Sequence, residues 1–152
     1  LYLSRLAVLP SPRVYPQCQQ PFNIRVEEMK SYPLQDGAEL LVKVLPLTAY
    51  QSPQAADGFL WDAYFDLEAL QTNTLKVRAY QAGDRFQPLG MPGKSVKLSD
   101  LFINKKIPVK VREHWLVVEN GNTIVWVAGF QPAHFTRIQP DTHHLLHLQV
   151  KF

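Results

Sequence analysis

The run Trp115-Leu116-Val117-Val118-Glu119 is followed by Asn120-Gly121 and then, one residue later, by Thr123-Ile124-Val125-Trp126-Val127. β-Branched and aromatic residues fill pleated strands, and Asn-Gly accepts the positive φ of a tight turn, so this stretch predicts an antiparallel hairpin. The same period of two recurs where Phe22, Ile24 and Val26 alternate with Asn23, Arg25 and Glu27, and in Leu40–Leu45. It recurs again in Leu75–Tyr80 and in Leu146–Phe152, and Gly58–Asp66 is apolar enough for a further strand. Prolines at 10, 12, 16, 21, 46 and 53 exclude long helices from the first part, while Pro33 and Asp36-Gly37 supply a turn there.

Helical signals are short. Asp66 is placed to cap a turn over Leu67–Leu70, and Val96, Leu98, Leu101 and Phe102 predict a helix of two to three turns over Ser95–Ile103, ended by Ile107-Pro108. These patterns make the fold class α+β and β-rich, with antiparallel sheets and one or two short helices. A change of composition at Gln71–Thr74 marks a candidate boundary. It separates a β-rich segment with Pro-rich loops, 1–73, from a second segment, 74–152; whether the first stands alone or packs on the rest is left open.

Charge is unevenly distributed. The net charge is only +3, yet residues 76–112 hold nine basic and two acidic side chains, whereas the segments on either side are net acidic. A basic block interrupted by Gly, Pro and aromatic residues and flanked by strands suits the backbone of a nucleic acid better than a membrane surface, for which no basic amphipathic helix is present. No window approaches the roughly 18 consecutive apolar residues of a membrane span. The single cysteine, Cys18, can neither close an internal disulfide nor complete a zinc site alone. A cytoplasmic location is the simplest expectation. The start at Leu1 without methionine, lacking the pattern of a signal peptide, reads as a piece of a longer protein.

Within the basic block lies Gly83-Asp84-Arg85-Phe86-Gln87-Pro88-Leu89-Gly90-Met91-Pro92-Gly93-Lys94-Ser95. Its Gly-Lys-Ser ending matches part of an ATP phosphate loop, but the first glycine of that pattern would fall at Pro88, which has no amide to offer. Two other readings are compatible with each other. Gly83-Asp84-Arg85 forms a structural turn, and Arg85, Lys94 and Lys97 contact phosphates, with Lys94 near a helix N-terminus. His143, His144 and His147 lack the further ligands of a metal site, Asp62 and Asp66 read as strand-edge residues, and Ser95 and Ser99 have no hydrolase context. No catalytic constellation and no metal site are expected.

An ordered set of short blocks resembles the C-terminal domain of the tRNA(Ile)-lysidine synthetases. The blocks are Arg78; Gly83-Asp84-Arg85-Phe86 with Pro88-Leu89-Gly90; Lys97-Leu98-Ser99-Asp100 with Phe102; Lys106-Ile107-Pro108 with Arg112; and Ile124–Gly129. The resemblance spans Leu75–Phe152 and implies a layered, sandwich-like arrangement of the sheets. It also implies a tRNA-binding accessory role in an ATP-dependent ligase that joins lysine to the wobble cytidine of isoleucine tRNA. The catalytic domain, with its Ser-Gly-Gly-x-Asp-Ser loop, ATP and magnesium, would lie outside this chain. This chain would then hold no cofactor, be inactive alone, and dock isoleucine tRNA by its acceptor-stem side. Its partners would be that tRNA and its own catalytic domain, and a homodimer stays open. By position, the implied phosphate or sugar contacts are Arg78, Arg85, Lys94, Lys97, Lys105, Lys106 and Arg112, with Gly83, Asp84, Gly90 and Pro108 shaping the backbone. The alternative is a protein-interaction module whose basic segment, 76–112, contacts its own catalytic domain or a second subunit.

Overall fold

The computed structural model describes residues 15–53 and 55–152. Prolines 10 and 12 lie outside the described residues.

Two four-stranded antiparallel sheets form the frame. The first has the order β1 (Phe22–Arg25), β7 (Thr74–Ala79), β10 (Leu116–Asn120), β11 (Thr123–Val127). The second has the order β2 (Ser31–Pro33), β3 (Glu39–Pro46), β12 (His144–Lys151), β6 (Asp62–Asp66). Two ribbons of two residues per strand complete the β structure: β4 (Ala55–Ala56) with β5 (Phe59–Leu60), and β8 (Arg85–Phe86) with β9 (Val96–Lys97). Two short helices, α1 (Leu98–Asn104) and α2 (Val109–Arg112), follow β9.

Alternation along each strand sorts side chains into two cores. Ile24, Leu75, Val77, Leu116 and Val118 from the first sheet meet Leu40, Val42, Phe65, Leu146 and Leu148 from the second, all buried between the sheets. Trp115, Val117, Ile124 and Val127 point to the other face of the first sheet, where Phe86, Leu98, Phe102 and Ile107 cover them. The molecule is therefore a β-sandwich with a third layer of ribbon and short helices on one sheet, the layered α+β architecture that the resemblance implies. Each fully buried aliphatic or aromatic side chain contributes roughly 1.5–3 kcal/mol, so the outer layer is held by packing and not by its short helices' own propensity.

β11 breaks the period of two. Val118 pairs with Trp126 and Glu119 with Ile124, which leaves Val125 as an extra residue opposite the step between them. This bulge lets Val125 and Trp126 both enter the inter-sheet core.

The hairpin turn is displaced by one residue from its sequence reading. Asn120 pairs with Thr123, so the two-residue loop is Gly121-Asn122. Gly121 has φ 62° and no positive φ occurs at Asn122, the pattern of a II′ turn and not the Asn-Gly type I′ turn. Asn120 is thereby free for another task. Its Oδ1 accepts from the Gln71 N–H at 2.6 Å, and its Nδ2 donates to Thr72 O and Thr74 O.

Several expected boundaries shift. The helix expected over Ser95–Ile103 starts only at Leu98, because Val96 and Lys97 are taken up as β9. It ends at Asn104, before Ile107-Pro108, and Pro108 instead precedes α2 as its N-cap. β2, β4, β8 and β9 are too short to leave a period in the sequence. Asp66 caps the turn at Leu67–Ala69 by accepting from Glu68 N–H, as expected. Cys18 is buried, donates its thiol to Gln20 O, and burial pushes its thiol pKa up. Among the described residues no helix is long and apolar enough to cross a membrane.

Candidate nucleic-acid interface

β7 places Lys76 and Arg78 on the face opposite Leu75 and Val77. Lys76 is exposed, but Arg78 is buried and bonded within the fold. Its Nη1 and Nη2 form a bidentate pair with Asp84 at 2.9 and 3.1 Å, its Nε donates to Glu119 Oε2 at 3.1 Å, and Nη1 also donates to Ala79 O. Burial alone would lower the Arg78 pKa, but hydrogen bonding and charge from Asp84, then Glu119, outweigh it and leave the pKa raised. Four of the five guanidinium N–H groups of Arg78 are thus used inside the fold, where they anchor the loop. A buried guanidinium between two carboxylates fixes the loop because freeing it would strand charges away from water.

Asp84 is the other half of that anchor. Its Oδ2 also accepts from the Gln81 N–H, and the Asp84 N–H closes a turn onto Gln81 O, with Gly83 at φ 92° in the third position, where a type II turn needs glycine. Two more turns follow in the loop. Met91 N–H closes on Pro88 O with Gly90 third, and Lys94 N–H closes on Met91 O with Gly93 third. Leu89 N–H donates to Pro132 O and Gly90 N–H to His134 Nδ1. The amides of Leu89, Gly90, Met91 and Lys94 are therefore used internally, Pro88 and Pro92 have none to offer, and Ser95 Oγ is held by Arg85 Nε at 3.1 Å. These residues do not fit an ATP cradle.

The loop's ends pair as β8 and β9, which sets Arg85 directly opposite Lys97. Among the described residues Arg85 binds Ser95, through Oγ and the backbone O, and its charge meets no carboxylate. Residues directly opposite in an antiparallel pair share a face, and like charges there are destabilising. Lys94 is exposed in the same ribbon's loop. It lies four residues before α1 begins and three before the N-cap, Lys97, so it is near the helix N-terminus but outside the helix.

The remaining cations are more dispersed. Lys105 and Lys106 follow α1, with Lys105 about 12 Å along its axis from Lys97. Lys105 Nζ donates to Gly58 O at 2.6 Å and sits over the Phe59 ring, so it pins the β4–β5 turn as well as being exposed. Lys106 is exposed and takes a left-handed backbone, φ 57°, that turns the chain toward buried Ile107. Arg112 is half-buried, with Nε on Ile107 O at 2.8 Å. Sequence reading passed over exposed Lys76 and Lys110, although both lie inside the basic block. The histidines separate: His144 meets Glu68, whereas His147 is buried against Asp62, not on a solvated strand face. Among the described residues no three His, Cys, Asp or Glu side chains converge on a common point.

The family model for the TilS substrate C-terminal domain matches residues 75–149. A solved structure described as a TilS C-terminal domain superposes with a TM-score of 0.69 at 25% identity, covering 87% of this chain and 97% of that one. Residues 75–149 of the chain belong to the TilS C-terminal domain family. Curated relatives include the tRNA(Ile)-lysidine synthase of Clostridium tetani, 34% identical over 58% of this chain and 18% of that protein. Another is that of Geobacter sulfurreducens, 29% identical over 79% of this chain and 24% of that protein. The chain thus spans about a fifth to a quarter of the length of these two relatives. In this TilS-type domain the Arg78–Asp84–Glu119 cluster is the internal support, and the ribbon bearing Arg85, Lys94 and Lys97 is the exposed basic element it supports.

Proposed function

We propose that this chain docks tRNA for a tRNA(Ile)-lysidine synthetase whose catalytic domain lies outside it. The ribbon and helix ends of 76–112 lie along the sugar-phosphate backbone of isoleucine tRNA, on the acceptor-stem side, so that the anticodon reaches the distant ligase site. ATP and magnesium act in that other domain, and the whole enzyme works in the cytoplasm. The carrying observation is the direct opposition of Arg85 and Lys97 with no carboxylate of the described residues paired to either. A fold has no use for that repulsion in isolation, but an RNA phosphate set over the pair relieves it. A-form RNA offers shape and backbone more than base edges, which suits several modest cationic contacts.

Binding of isoleucine tRNA to this chain, measured by fluorescence anisotropy across a salt series, tests the reading. Affinity should fall linearly with log salt, and replacing Arg85, Lys94 and Lys97 together by alanine should flatten the slope by about 2–3 and weaken low-salt binding at least about tenfold. The triple variant should melt within a few degrees of the parent, because these three side chains are exposed. Absence of low-salt binding, or an unchanged slope in the triple variant, would overturn the proposal in favour of a protein contact.

A further inference from the structure

The Pro88–Met91 turn borders a second feature. Leu89 forms part of a cleft of about 530 Å3, with Tyr50 and Tyr64 among its other walls and Asp62 and Arg137 as its charged groups. Tyr64 is held rigidly: its ring stacks on His147 at 4.1 Å and 7°, and His147 Nε2 lies 2.9 Å from Asp62 Oδ2. Burial, then the Asp62 charge, pushes the Tyr64 phenol up, so it stays neutral, and a bond from the backbone of Gln51 ties it to the segment carrying Tyr50. Tyr50 meets Tyr64 edge-on at 4.8 Å and 61°, yet remains 43% exposed. Arg137 uses Nη1 on His134 O at 3.1 Å, and its Nε and Nη2 have no acceptor among the described residues.

A flat aromatic surface beside unused guanidinium donors suits the π face and carbonyl edge of a nucleobase. The Asp62 carboxylate in the wall disfavours a phosphate there. The cleft is continuous with the basic loop, because Leu89 N–H bonds Pro132 O, Gly90 N–H bonds His134 Nδ1, and Pro88 bridges Ala133. We infer that the cleft receives an unpaired base of the RNA whose duplex lies along Arg85 and Lys97, a step that rests on the docking reading. Tyr50 stacks on the base and Arg137 donates to its edge, so the domain senses where a duplex ends or bulges as well as where its phosphates lie.

RNA hairpins of one duplex sequence, either blunt or extended by three unpaired nucleotides at the 3′ or the 5′ end, separate the two ideas by anisotropy on the full chain. One extended hairpin should bind roughly 5- to 100-fold more tightly than the blunt one, the range expected of one stacked base. Tyr50→Ala should reduce that extended RNA to the blunt level while leaving blunt binding unchanged, and Arg137→Gln should do so in part. Tyr50 is exposed enough that its loss should leave the melting temperature close to the parent's. Equal affinity for all three hairpins, or an extended-end preference that survives Tyr50→Ala, would overturn the cleft assignment while leaving docking intact. Failure of every hairpin to bind at low salt would remove both.

Discussion

Replacing Arg78 by alanine would leave Asp84 and Glu119, whose side chains are only 12% and 15% exposed, facing each other without a cation. Breaking a buried pair of this kind costs about 3–5 kcal/mol, so urea unfolding of Arg78→Ala should show a loss of that order. Arg78→Lys should recover only part of it, since an ammonium cannot reproduce the bidentate fork. The raised pKa of Arg78 fixes the sign of any pH effect. Its contribution is fully present below the ordinary arginine pKa and is lost only on passing above the folded value, so the guanidinium side of the cluster is constant through the neutral range. A stability near zero change on Arg78→Ala would mean that the loop is held by its turns alone.

Among the elements, the β10–β11 hairpin has a second duty that its sequence conceals. Asn120 is 1% exposed and serves the segment at 71–74 as both acceptor and donor. Asn120→Asp keeps the acceptor for Gln71 N–H but replaces the donor with an oxygen aimed at two carbonyls. A stability loss of roughly 2–3 kcal/mol is expected, with faster amide hydrogen exchange confined first to the neighbourhood of 71–74. Uniformly faster exchange across the whole sandwich would show instead that the hairpin and that segment open only together. The same segment reads in the sequence as a boundary because it is polar and β-poor. Polarity there reflects hydrogen bonding to a buried asparagine forty-six or more positions away.

At the scale of the molecule, the two stretches on either side of that boundary share both sheets. β1 pairs with β7, and β12 lies between β3 and β6, each pairing antiparallel. A fragment of 75–152 would leave β12 without either neighbour and expose Leu146 and Leu148, so it should lack a cooperative thermal transition by circular dichroism and a dispersed NMR spectrum. A folded, monomeric 75–152 would contradict this. The sequence alone determined the strand-rich class, the hairpin, the last strand and the basic block, because those signals are local: side-chain alternation, turn chemistry and charge count. Its motif blocks also carried the family. It could not determine which cations remain available. Arg78 and Arg85 look alike in the chain, and only the fold sets Arg78 between Asp84 and Glu119, the latter forty-one positions away, while the β8–β9 pairing sets Arg85 against Lys97. Arg137 and Tyr50, eighty-seven positions apart, left no common signal before folding brought them to one cleft. Local propensity acts over a few residues, whereas burial and ion pairing act through space, so the frame was legible in the sequence and the assignment of each charged side chain belonged to the tertiary structure.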